Sequence, residues 1–164
     1  MTITIGIKDL IYAIRMTSHN EVGHITDAEV RYKVEAGLDK IELIKQCIME
    51  AYSSVLMNCH RFIMDDNVDD INPAVPDTSE TINNETEIGI SDFVFNIDGG
   101  VRRLGGKSLA LANKIREALK DYALCNFYVS VSAQEQAKAH ASLANADMVA
   151  LNQMLLEKRP PKYL

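Results

Sequence analysis

The stretch closest to a site for chemistry is Gly100-Val101-Arg102-Arg103-Leu104-Gly105-Gly106-Lys107-Ser108. A phosphate-binding loop needs glycines at fixed positions, so that backbone N–H groups converge on the phosphates ahead of a Lys and a Ser or Thr. The Gly106-Lys107-Ser108 terminus is in place, between an expected strand and an expected helix. The first glycine of such a loop has to fall at position 101, which is a valine. A second strand ending in an acid for Mg²⁺ is missing, and the strands are too few for a parallel sheet. The stretch reads as a helix-entry turn, and a nucleotide-binding enzyme ranks third among the functions considered.

Asp65, Asp66, Asp69 and Asp70 pose the next question. A calcium loop of the EF-hand type wants Gly at its sixth position and Glu at its twelfth. Counted from Asp65, those positions hold Asp70 and Pro76. The segment is an acidic loop, and no metal or other cofactor is expected. His19, His24 and His60 have no Cys or carboxylate at metal-ligand spacing, His140 lies beside the buried stripe of the last helix, and these residues read as surface or satisfied core histidines. Cys47, Cys59 and Cys125 are widely spaced inside apolar helical patterns, as small buried hydrophobes are. No GxSxG, HExxH or Cys–His pattern appears, and no catalytic residue is assigned.

Two clusters point to contacts with other proteins. Arg102 and Arg103, with Lys107, Lys114 and Arg116, make a basic patch. With a pI near 5.2 the chain is not expected to bind nucleic acid specifically, so the patch reads as a charged face that meets the acidic segment of a neighbour. Tyr122, Phe127 and Tyr128 lie in a helical pattern that is apolar on more than one side. A helix of that kind is buried in a core or at a subunit interface, and here the interface is the expectation. The candidate interface set is therefore Tyr122, Phe127, Tyr128, Asp65, Asp66, Asp69, Asp70, Arg102 and Arg103.

The elements that position these residues are mostly helical. Ile7, Leu10, Ile11 and Ile14 mark a helix over about 7–18. Thr26-Asp27-Ala28-Glu29 has capping-box form and opens a helix to about residue 64, continuous or split near Gly37. Pro73 and Pro76 bar a helix from the acidic loop 65–89. Phe93-Val94-Phe95-Asn96-Ile97 is a strand, and Val101–Leu104 returns as its partner in a hairpin-like insert over 90–106. Leu111, Ile115, Leu119, Tyr122, Cys125 and Val129 form the stripe of a helix starting at Ser108. Ser132-Ala133-Gln134-Glu135 caps a last helix to about Lys158, with Ala137, Ala141, Ala144, Met148, Leu151 and Leu155 inward. The expected fold is mainly α: one four- to five-helix bundle over 1–164, with an inserted acidic flexible loop and a small β-hairpin.

Composition agrees with a globular chain: 47 % hydrophobic and 24 % charged over 164 residues. No apolar run approaches the ~18 residues of a membrane span, and the N-terminus lacks signal-peptide form, so a cytoplasmic protein is expected. The net charge of -6 is uneven. Ten of the 23 acids fall between Phe62 and Val101 with no Lys or Arg, which leaves the rest of the chain at +4. An acidic segment is set into a mildly basic body.

The C-terminal half runs Ala112-Asn113-Lys114-Ile115-Arg116-Glu117-Ala118-Leu119-Lys120-Asp121-Tyr122-Ala123-Leu124-Cys125-Asn126-Phe127-Tyr128, then Ala137-Lys138-Ala139-His140, then Leu151 through Arg159-Pro160-Pro161. Over about 60 residues it resembles the head–tail connector (adaptor, head-completion) proteins of tailed-phage and prophage necks. The N-terminal half resembles them only in helix order. The resemblance implies a virion component that forms a homo-oligomeric ring between portal and tail proteins. It also implies that the acidic segment orders on a neighbour or on the portal, and that no small-molecule substrate is involved. The alternative is a cytoplasmic helical regulatory or adaptor module that binds a protein partner through its apolar helix face.

Overall fold

Thr2-Ile3-Thr4-Ile5 alternates with period two and forms a strand, β1 (Thr2–Ile5). Its partner is the expected strand, β2 (Phe93–Asn96), which runs antiparallel with Ile3 opposite Phe95 and Ile5 opposite Phe93. The computed structural model describes residues 2–59, 92–97 and 107–156. The acidic loop 65–89 lies outside these residues, and so do Asp65, Asp66, Asp69, Asp70, Arg102, Arg103 and the return strand expected at Val101–Leu104.

The pair β1–β2 presents Ile3, Ile5, Phe93 and Phe95 to the core. Tyr52 stacks on Phe93 at 4.2 Å between ring centroids and meets Phe95 edge-on at 5.4 Å. A two-stranded ribbon is marginal in water, and this one is held by the helix beneath it. Asp92, just before β2, accepts the Ile7 N–H at 3.3 Å. That bond caps the helix α1 (Ile7–Val22), whose own N-cap, Gly6, has no side chain to do so.

The expected stripe of α1 is buried, but the helix runs on past residue 18. Ser18 turns inward, and its Oγ accepts the Ala36 N–H at 2.8 Å, while Val22 is fully buried. The next helix, α2 (Ala28–Val34), is capped by Asp27 rather than Thr26. The Asp27 carboxylate accepts from the Glu29 and Val30 amides at 2.9 and 3.3 Å. Of the two readings for 26–64, the split one holds, because the chain is extended at Glu35. It resumes in a 3₁₀ turn, Leu38–Lys40, that leads into α3 (Ile41–Cys59). Lys40 Nζ donates to the carbonyls of Tyr32 and Glu35 at 2.6 and 2.7 Å, satisfying the end of α2. Ile44, Ile48, Tyr52, Val55 and Cys59 repeat at helical spacing and face inward, whereas Val30 and Leu38 are exposed.

The two longest helices, α4 (Lys107–Ser130) and α5 (Gln134–Leu156), form an antiparallel hairpin. α4 also packs against α1, α3 and β1, which makes it the centre of the bundle. Leu111, Ile115 and Leu119 are buried as expected, and beyond them the stripe shifts to Leu124, Phe127 and Tyr128. Tyr122 and Cys125 are half-buried and Val129 is exposed. Fully burying each large apolar side chain contributes about 1.5–3 kcal/mol. Ala137 and Ala144 are buried on α5, and alanines there let the helix axes approach closely.

The turn between α4 and α5 corrects the second expected cap. Ser132 is not the N-cap of α5; it takes the left-handed conformation, φ 61°. The Ala133 N–H bonds to the Tyr128 carbonyl at 2.8 Å and the Ser132 N–H to the Val129 carbonyl at 3.1 Å. That is a Schellman motif closing α4, with serine where glycine is usual. A Cβ in this region costs about 1 kcal/mol. Ser132→Gly is expected to stabilise the fold by roughly 0.5–1 kcal/mol in urea denaturation. An unchanged or lowered midpoint contradicts the strain at this turn.

Candidate functional site

His140 on α5 is 3 % exposed and has both ring nitrogens engaged. Nδ1 meets Asp121 Oδ1 on α4 at 2.9 Å, and Nε2 meets Glu21 Oε1 on α1 at 2.8 Å. Carboxylates accept and do not donate, so both nitrogens carry hydrogen and the ring is an imidazolium. Burial works against that charge. The bonds to Asp121 and Glu21 outweigh it and push His140 up to about 9. Burial likewise raises Glu21 and Asp121, and the contact with His140 reverses this, so that both carboxyls lie below their usual range.

The network extends in both directions. The Tyr128 hydroxyl donates to Glu21 Oε2 at 2.6 Å, and its ring lies 5.6 Å from the imidazole. Burial and this bond hold the Tyr128 hydroxyl well above the usual phenol range. On the other side the Asp121 carboxyl neighbours that of Asp147. Lys114 Nζ donates to Asp147 at 3.0 Å and to Glu117 at 2.7 Å. Burial raises the Asp147 carboxyl, against the pull of Lys114.

Helix geometry explains why these residues meet. Lys114 and Asp121 are two turns apart on α4, and His140 and Asp147 are two turns apart on α5. Antiparallel packing places the first pair opposite the second, giving two polar rungs in the hairpin. Glu21 reaches the first rung from the last turn of α1. The cluster therefore ties α1, α4 and α5 at one point. Both imidazole nitrogens are committed to carboxylates, which leaves no lone pair to take a proton or a metal. The arrangement builds structure.

The residues singled out from the sequence fall elsewhere. Phe127 and Tyr128 are completely buried within the chain, and Tyr122 packs half-buried against the core. Phe127 and Tyr128 are covered by the neighbours of α4 within the chain, so they are core residues and not a subunit interface. The acidic residues Asp65, Asp66, Asp69 and Asp70, the pair Arg102 and Arg103, and the glycines of the near-miss loop lie outside the described residues. β2, the strand before that loop, sits in an antiparallel pair and not in a parallel sheet. His19 Nδ1 lies 2.6 Å from Glu35 Oε1 at the surface. Among the described residues no group of His, Cys, Asp and Glu is arranged to hold a metal. Burial pushes the Cys47 and Cys59 thiols up to about 11, where they remain protonated hydrophobes. An apolar hollow lined by Val55, Cys59, Phe95, Ile97, Leu151 and Leu155 presents no polar group. Among the described residues no helix is long and apolar enough to cross a membrane.

Sequence reasoning found His140 but not its partners Glu21, Asp121 and Asp147. The repeated seven-residue spacing, Lys114 to Asp121 and His140 to Asp147, was the available signal. The outer face of α5 was missed as well. Exposed Ala139, Ser142, Leu143, Ala146 and Val149 follow one another at helical spacing, with Leu143 51 % and Val149 59 % exposed. Between Ala139 and Gln153 the charged side chain of Asp147 and the imidazolium of His140 are both engaged with α4, so the exposed positions there carry no charge. No family model matches the chain, and no curated protein or solved structure matches it.

The cluster gives stability a dependence on pH. A folded pKa of about 9 against 6.5 makes the His140 contribution complete below pH 6.5, and it is lost as pH rises through 9. Lowered Glu21 and Asp121 act in the opposite sense, with a contribution present above 4.5 and lost on acidification. Urea denaturation is expected to show greatest stability near pH 5–6.5, falling by about 3 kcal/mol towards pH 10. His140→Leu is expected to cost about 3–5 kcal/mol and to abolish the alkaline fall. An alkaline fall of the same size in that variant assigns it to another group.

Proposed function

We propose that this chain is a structural assembly subunit of a phage or prophage neck, a head–tail connector that works by forming a homo-oligomer. The observation that carries the reading is the outer face of α5. A helix at the surface of a monomer ordinarily turns its charges to water. α5 does the reverse over Ala139–Gln153, with its charges turned to α4 and Leu143 and Val149 outward. A contiguous apolar face of this kind serves contact with another protein. The helical-packing pattern over Ala112–Tyr128 and Ala137–Pro161 supports the same reading, because it resembles connector proteins. Portal and tail proteins are the expected partners of the assembled form.

Light scattering after size exclusion, over a range of protein concentrations, tests the proposal. A discrete species of several copies is expected to grow with concentration. A strict monomer at the highest concentration, with no assembly on adding the portal protein encoded nearby, overturns it. Genomic neighbours give an independent check: portal, capsid and tail genes are expected on either side.

A further inference from the structure

Among the described residues α5 packs chiefly on α4 and touches α3 only slightly, so it stands at the edge of the bundle. Ala144 and Met148 lie on its buried face. At about 100° per residue, Ala146 lies about 160° around the helix from both, at the middle of the outer side. Ala139 and Gln153, one heptad before and after, fall within about 20° of it. Ala139, Ser142, Ala146, Val149 and Gln153 are all exposed and alternate at spacings of three and four, as the positions of a helix–helix seam do. Three of the five are small, which lets a second helix approach closely.

Large and small side chains are disposed evenly about Ala146. Leu143 and Val149 lie three residues before and after it, about 60° to opposite sides. Ser142 and Ala150 lie four residues before and after it, Ala150 on the side of Leu143 and Ser142 on the side of Val149. A two-fold axis through Ala146 that reverses the helix keeps each side but exchanges before with after. Leu143 of one copy then falls on the partner's Ala150, and Val149 on the partner's Ser142. Ala146 meets its own copy where the two helices come closest. Each large side chain finds a small one, as knobs find holes. An unrelated partner does not call for this even placement about one residue, whereas a second copy in antiparallel register uses all of it.

Charge selects the direction. Glu135 and Lys138 are exposed at the start of α5, and between Ala139 and Gln153 the outer face carries none. A parallel pair brings Glu135 against Glu135 and Lys138 against Lys138. The antiparallel pair separates each from its copy by about 24 Å or more along the axis, beyond a Debye length at physiological salt. We propose that the outer face of α5 packs on the same face of a second copy, antiparallel, about a two-fold axis at Ala146. Such a contact is isologous and closes on a pair. The inference rests on the assembly reading above, in which this pair is the building unit.

Cysteine crosslinking under mild oxidation, read on a non-reducing gel, tests it. Ala146→Cys is expected to give a disulfide-linked pair, since the axis brings that position against its own copy. Ala139→Cys alone is expected to stay unlinked, because its two copies lie about 21 Å apart along the axis. Mixed with Gln153→Cys, it is expected to link across the seam. The unsubstituted chain, with Cys47 and Cys59 buried, supplies the background. Leu143→Glu is expected to raise the concentration midpoint of pairing at least about tenfold, with Leu143→Ser as the milder variant should helical circular dichroism change. Linking at Ala139→Cys as readily as at Ala146→Cys means a parallel pair and overturns the contact. Assembly in light scattering with no link at any of these positions overturns the contact and leaves the assembly reading standing. Assembly that appears only on adding the portal protein, again without the link, gives the face to another protein and overturns the contact alone. A strict monomer that never links, with or without the portal protein, overturns both.

Discussion

The imidazolium of His140, held between Glu21 and Asp121, is the constraint on which the arrangement of helices depends. Without it, α1 keeps its apolar packing on the hairpin and the Tyr128–Glu21 hydrogen bond to α4, but loses the ion pair that ties it to α5. With it, the last turn of α1, the middle of α4 and the first half of α5 are fixed to one another within hydrogen-bond distance. Burying such a group carries a large desolvation cost, and three features offset it. Both ring nitrogens have an anionic partner, Tyr128 satisfies the second oxygen of Glu21, and the rung at Lys114 and Asp147 balances the charge two turns away. Apolar residues of similar volume could give equal stability, but they would not set the register of the hairpin in the same way.

That register has consequences for packing. Once Asp121 faces His140, Leu124 and Phe127 are carried to the side of α4 that meets its neighbours, and the buried stripe rotates away from Cys125 and Val129. The Schellman turn at Ser132 lies one further heptad along the same hairpin, so the strained residue sits where the two polar rungs require the chain to reverse. α3 then packs on α4 and carries Tyr52, on which the β1–β2 ribbon rests. The sheet is therefore a consequence of the helical core and not a second centre of folding.

Much of this was legible from spacing alone. The stripe Ile7, Leu10, Ile11, Ile14 and the run Ile44 to Cys59 record a local periodicity that tertiary structure only confirms, and the strand at 93–97 announced itself through its aromatics. What could not be read were the long-range choices. β1 is four residues of Thr-Ile alternation, too short to separate from a helix entry without its partner, some ninety positions away in the chain. The cap at Asp27 was displaced by one residue from the expected Thr26, since either side chain can accept the same amides. Phe127 and Tyr128 read as an interface because a helix apolar on all sides seemed too much for a chain of this length to cover. The chain covers it with neighbours on several sides of α4. His140 read equally as a surface or a satisfied core histidine, because nothing local tied it to Glu21, 119 residues earlier.

The most informative departure from ordinary patterning lies in α5. An amphipathic helix usually turns its charges to water and its large apolar side chains to the core. Over its middle turns α5 places small residues and ionised groups inward, where the hairpin needs close approach and polar rungs, and it leaves Leu143 and Val149 outward. The inward choice is explained by the His140 cluster. The outward choice is not, because among the described residues no packing calls for leucine or valine at those positions, and a polar residue there would serve solubility better. α2 departs in another form, with Tyr32 61 % exposed on a helix that has no buried residue. Sequences that fold reliably agree with their structures at every level, and the places where they do not are where function is found. In this chain both such places are surfaces that leave large apolar side chains in water, Val30 and Tyr32 on α2 and Leu143 and Val149 on α5.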